Sequence, residues 1–212
     1  MTVSEPRTAT GRTAEWRWSL LLPPNWVTLP VEAEAGRTAI RRLLDRQMAH
    51  LPRDRVAPAR RRMEGELRSL LTEARQAGAT TLHAHVGLVR GVPVSATCAV
   101  SLVRGVADDP RLIAEVALLF GEGDDVVEAG VRPVAGVPAV RRRRQGRMPV
   151  EGSTRMLPST SVDWVVALPD GGGALVLSFG TVTAPVADEL VSLFDAIAQS
   201  LVLEPDVSGP LG

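Results

Sequence analysis

The stretch SVDWVVALPDGGGALVLSFGTVTAPVADELVSLFDAIAQSL, Ser161 to Leu201, decides the fold. It reads strand, turn, strand, helix. Val162, Trp164, Val166 and Leu168 alternate with Asp163, Val165 and Ala167, the two-residue period of a strand with a buried face. Asp170-Gly171-Gly172-Gly173 supplies residues that tolerate positive φ, as a tight hairpin connection needs. Leu175, Leu177 and Phe179 mark the return strand. Pro185 suits a first helical turn, where its missing N–H is not wanted, and Asp188 and Glu189 favour the positive end of the dipole. Val186, Leu190, Phe194, Ile197 and Leu201 then repeat at offsets of 4, 8, 11 and 15, one stripe of a helix that can close over the hairpin.

Working outward, Val126–Pro133 and Val137–Arg144 read as another strand pair, with Ala135-Gly136 as its turn. The second strand ends in Arg141, Arg142, Arg143 and Arg144, with Arg147 beyond. Alternation puts this charge on both faces, as where a strand runs past a sheet's edge. Ahead of the pair, Asp109-Pro110 opens a short helix through Phe120, and Asp108–Glu128 holds seven acidic residues against Arg111.

Thr80–Arg104 reads as two more strands around an Arg90–Pro93 turn. Cys98 lies in apolar register on the second, as a small buried hydrophobe. His83 and His85 share one side of the first and are expected exposed or half-buried. Paired histidines can ligate Zn²⁺, but the third histidine, His50, is remote in sequence and no cysteine is near, so no metal or other cofactor is expected.

The preceding section is helical. Ile40, Leu43, Leu44, Met48 and Leu51 form one stripe that ends at Pro52. After Pro58, the stripe Met63, Leu67, Leu70, Leu71 and Ala74 ends at Gly78, placed as a C-cap. Nine arginines between Arg37 and Arg62 face two aspartates, a local charge of about +7. Trp16, Trp18, Leu20 and Leu22 alternate as a first strand, and Trp26, Val27 and Leu29 follow as an extended anchor. The three tryptophans serve either as core anchors or as an aromatic platform lining a pocket.

The chain of 212 residues, 45% of them hydrophobic, is expected to fold as a single α+β domain over residues 14–203, with a disordered tail at 1–13 and a flexible tail at 204–212. The architecture expected is an antiparallel sheet of about six to seven strands flanked by helices. A helical hairpin follows the first strand, and a long helix ends the domain. Net charge is zero, so no global field draws the chain to nucleic acid or an anionic membrane. The arginine-rich segments also lack the interleaved aromatics of base recognition. One cysteine, no leader and no membrane-length apolar run point to a cytoplasmic protein that does not insert in membranes.

Nucleophile elbow, phosphate loop, dinucleotide fingerprint and zinc-protease motifs are all missing, which argues against an enzyme. The expectation is a non-catalytic interaction or accessory module that meets an acidic protein surface through Arg41, Arg42, Arg60, Arg61 and Arg62, and through Arg141–Arg144. Opposed charge blocks also admit self-association. The alternative is a small-ligand binder or enzyme, with a pocket between sheet and helices that uses His83, His85 or the Trp16/Trp18/Trp26 cluster.

Leu22-Pro23-Pro24-Asn25-Trp26-Val27, with Leu175–Thr181 running into Leu190–Leu201, resembles the PsbP-like α+β proteins, in particular the actinobacterial LpqN type and its cytoplasmic relatives. The resemblance implies an antiparallel sheet flanked by helices that serves as a binding or accessory module. It does not extend to the central helical section or to the Arg141–Arg144 run. A looser similarity, to cytoplasmic chaperones of actinobacterial type VII secretion, implies a chaperone-like role.

Overall fold

The computed structural model describes residues 6–12, 16–48, 53–85, 88–89, 92–103, 116, 121–149, 154, 156–169 and 173–206. Two larger antiparallel sheets, a two-stranded ribbon and three helices make an α+β fold among these residues. Strands β1 (Arg7–Arg12), β2 (Trp16–Leu22) and β3 (Trp26–Pro30) lead into helices α1 (Ala33–Met48) and α2 (Arg53–Gln76). Then come β4 (Ala79–His85), the two-residue strands β5 (Leu88–Val89) and β6 (Val92–Pro93), and β7 (Ala96–Val103). Strands β8 (Val126–Val134), β9 (Val137–Pro149), β10 (Met156–Ala167) and β11 (Ala174–Thr181) complete the main sheet. A 3₁₀ turn carrying Pro185 enters α3 (Ala187–Gln199), and β12 (Val202–Pro205) follows. The main sheet has seven strands in the order β3-β4-β7-β11-β10-β9-β8, and β1-β2-β12 form a second sheet of three.

The Ser161–Leu201 stretch folds as its periods dictate. Val165 pairs with Val176 and Val162 with Phe179, and Leu168 N–H closes the connection onto the Gly173 carbonyl at 2.9 Å. Asp170–Gly172 lie outside the described residues. On α3, Leu190, Phe194 and Ile197 are buried, and Phe194 stacks on Phe179 with centroids 5.1 Å apart. They join Trp18, Leu20 and Leu22 of β2 and Leu177 of β11 in the larger core. The opposite face of the main sheet is covered by the helical hairpin, where Ile40, Leu43, Leu44, Leu67 and Leu71 pack on Leu29 and Leu82. Gly78 caps α2 at φ 77°, as its position implies.

Three expectations change. Arg7–Arg12, read as part of a disordered tail, is strand β1, in register with β2 from Arg7↔Leu22 to Arg12↔Arg17. Its packing signal is small side chains. Ala9 is buried, and Gly11 lies under Trp18 so closely that a Cβ would sit 2.3 Å from Cζ2 of the indole. At the other end, Glu204 and Pro205, assigned to a flexible tail, pair with Arg17 and Trp16 in β12. Helix α2 begins at Arg53, so Pro58 lies inside it rather than before it. One missing intrahelical bond is outweighed there by a long run of good helix formers. The short helix expected after Asp109 falls outside the described residues, of which Val116 alone is helical in that segment.

Candidate functional site

The arginines divide into two populations. On β9, Arg141 is 3% exposed and faces α3. Its Nε and Nη2 donate to Asp195 Oδ1 and Oδ2 at 2.8 and 2.9 Å, and its Nη1 donates to Glu128 Oε2 at 2.8 Å. Trp164 Nε1–H donates to the same Asp195 carboxylate at 3.2 Å. Burial works against the charge of Arg141, yet the hydrogen bond and attraction of Asp195, then of Glu128, outweigh it and raise the pKa. Arg143, on the same face, donates to Asp188 at the start of α3 at 2.5 Å. Arg142 and Arg144 turn to the other face, where both meet Asp163, at 2.9 and 3.4 Å. Arg144 also lies 3.8 Å from Asp125. The alternation expected of the run is present, and each face has carboxylates of the protein's own to receive it.

The helical arginines differ. Arg41 and Arg42 on α1 and Arg61 on α2 are exposed, and among the described residues none lies within ion-pair distance of a carboxylate. Arg60 bridges the two helices through Asp45 at 2.7 Å. The Arg62 side chain is outside the described residues. Beside Arg42, edge strand β3 and α1 leave a groove of about 510 Å³ lined by Val27, Thr28, Leu29, Ala39, Leu43 and Asp45.

Of the residues considered for a pocket, Trp18, Trp26 and His83 are buried, while Trp16 and His85 are half-buried. Trp18 and Trp26 are 3% and 2% exposed. His83, expected exposed or half-buried, is fully buried. Its strand is internal to the sheet and covered on both faces, so the side opposite Leu82 and Ala84 is core as well. Trp18 meets the His83 ring edge-on at 6.5 Å, and Trp26 meets His85 at 6.4 Å. Thr28 Oγ1 and His83 Nδ1 share a hydrogen bond of 3.0 Å, while Nε2 is buried with no partner among the described residues. Burial pulls the His83 pKa down to about 4, so the ring is neutral near pH 7. Cys98, paired across from His83, is buried, and burial pushes its thiol well above the usual range. Neither group has the access or ionisation of a nucleophile or general base. His50 lies outside the described residues, among which no three of His, Cys, Asp and Glu gather as metal ligands.

A groove of about 380 Å³ lies between α2 and the protruding end of β9–β10, lined among others by Leu70, Thr97, Asp125, Arg144, Met148 and Ser161. None of the histidines or tryptophans considered for a pocket is in its lining.

Fold and site together define an antiparallel α+β chain. No family model matches it, and no curated protein does. It is similar to the crystal structure of LpqN, a protein involved in cell envelope biogenesis of Mycobacterium tuberculosis. The identity is 11%, covering 95% of this chain and 93% of that one, at a TM-score of 0.48. This is a distant structural likeness only. No helix among the described residues is long and apolar enough to cross a membrane.

Proposed function

We propose that this chain is a non-catalytic interaction module, accessory or chaperone-like, that takes an acidic protein surface on its helical hairpin. The observation that carries this is the contrast between the two arginine populations. Arg141–Arg144 are tied to Asp195, Glu128, Asp188, Asp163 and Asp125, whereas Arg41, Arg42 and Arg61 stand exposed without such partners among the described residues. Charges left in water steer a complementary surface and lose effect as salt screens them. The groove beside Arg42, with Val27, Leu29 and Leu43 in its lining, offers apolar contact next to that charge.

The test uses a polyglutamate peptide as probe, with binding followed by fluorescence anisotropy at low and high ionic strength. Binding should weaken as salt rises and fall about tenfold or more on the joint change Arg41→Ser, Arg42→Ser and Arg61→Ser. Arg17→Ser, which removes an exposed arginine paired with Glu204, serves as control and should change little. Equal binding by the triple variant overturns the proposal. A second reading, a small anionic ligand that takes Arg144 from Asp163 and Asp125, rests on the gathering of Arg144, Thr97 and Ser161 in the groove beside α2. It predicts instead that Arg144→Ser abolishes binding of a small dicarboxylate while the triple variant keeps it.

A further inference from the structure

Strand β8 ends the main sheet, and among the described residues β9 alone pairs with it. The ladder between them can be phased from two prolines. Pro133 stands opposite Pro138, and neither has an N–H, so that pair exchanges no hydrogen bonds. Antiparallel ladders alternate, so Val131–Val140 and Ala129–Arg142 are non-hydrogen-bonded too, and Val134–Val137 is hydrogen-bonded. The turn agrees: Ala135 at φ 51° and Gly136 at φ 77° make a two-residue connection of type I′. The N–H and C=O groups of Ala129 and Val131 therefore point away from β9, to the open edge.

Two further features mark this edge. Val131 and Val127 are 55% and 54% exposed, more than any other large apolar side chain among the described residues. Glu128 and Arg132 flank Gly130 symmetrically, and they already bridge one another within the chain at 2.6 Å. A protective edge carries charge that repels a copy of itself. This one carries one charge of each sign, equally spaced about a glycine.

We propose that β8 is a homodimer interface, where a second copy of the chain adds its own β8 antiparallel with the two-fold axis at Gly130. In that register Ala129 of each copy faces Val131 of the other, and four N–H···O=C bonds form from groups that point to the open edge in the single chain. Glu128 of each copy faces Arg132 of the other, so the bridge within the chain becomes one between chains. A register centred on Ala129 sets the two Glu128 side chains diagonally together. A register centred on Val131 sets Pro133, which has no donor, opposite Ala129. At the far end the Pro133 carbonyl accepts from Gln199 Nε2 at 3.4 Å, which confines pairing to the part of the strand before it. So short a contact falls below the roughly 1,200–2,000 Å² of a stable interface, and the dimer is concentration-dependent.

Gly130→Cys tests the register. The two Cα atoms at the axis would be about 4.5 Å apart, within disulfide range. A Cβ at Gly130 meets no atom within 4 Å, and Cys98 is buried and does not compete. Mild oxidation of the full chain should give a covalent dimer for Gly130→Cys, little for Ala129→Cys, and none for the unaltered chain. Val131→Pro removes an N–H aimed at the edge and none used by β9. It should stay monomeric in sedimentation where the unaltered chain dimerises, with an unchanged melting midpoint. A chain that is monomeric at every concentration, a dimer indifferent to Val131→Pro, or cross-linking that prefers Ala129→Cys each overturns the proposal.

Discussion

Arg141 holds Asp195 side-on, with Nε on Oδ1 and Nη2 on Oδ2, and so fixes α3 to β9 across a sequence gap of 54 residues. The pair is the buried counterpart of Arg143–Asp188 about two turns earlier on α3, where the aspartate side chain is 82% exposed. Asp195→Ala would leave a buried guanidinium short of its main partner and Trp164 N–H unpaired. The expected loss is about 3 kcal/mol or more in denaturant unfolding. Asp188→Ala should cost less than about 1 kcal/mol. Equal costs would show that the buried fork does not anchor the helix.

Phe194 is fully buried and stacked on Phe179, so Phe194→Ala opens a cavity under α3. The expected cost is about 3–5 kcal/mol, read as a lowered melting midpoint. An unchanged midpoint would mean that α3 does not seal this core.

His83 gives the fold an acid limit. Its pKa is about 4 in the folded chain and about 6.5 when unfolded, so below pH 6.5 the unfolded chain takes up a proton that the folded chain does not. This contribution is present above pH 6.5, is lost as pH falls to about 4, and amounts to about 3 kcal/mol at most. His83→Asn retains a group able to bond Thr28 but does not titrate. Its stability profile from pH 6.5 to 4 should be flatter than that of the unaltered chain, and parallel profiles would assign the acid loss elsewhere.

Cys98 should resist thiol reagents in the native state, since burial both hides it and keeps it protonated. Disulfide-exchange labelling is expected to be slow natively and fast in denaturant. Fast native labelling would mean that β7 opens readily from the sheet.

Where bulky apolar residues carried the period, the sequence was a reliable guide to the fold. Trp164 and Val166 alternate, Phe194 and Ile197 recur along a helix, and Ala135-Gly136 announces its turn. Strand β1 escaped because its inward residues are Ala9 and Gly11, which bury little area and give no hydropathy signal. His83 was assigned its correct face, but periodicity cannot report that a second layer covers that face. The same holds for the arginine run. Charge on both sides of β9 was legible, but its partners Asp163, Asp188 and Asp195 lie on elements whose docking is set by the tertiary fold. Arg41, Arg42 and Arg61 were the converse case, since exposure on an amphipathic helix follows directly from spacing.

The pairing of β2 with β12 sets a schedule on how the chain is made. Arg17 and Glu204, bonded across these strands, are 187 positions apart, so β2 leaves the ribosome long before its second neighbour exists. Until then Trp18, Leu20 and Leu22 lack a large part of their packing, because Phe179, Phe194 and Ile197 are also products of late synthesis. The larger core therefore closes after most of the polypeptide has emerged, while the α1–α2 cluster, with all its members between Leu29 and Leu82, can assemble early. A nascent chain halted before Val202 would display an apolar strand with one side unmatched, the kind of surface that folding helpers bind.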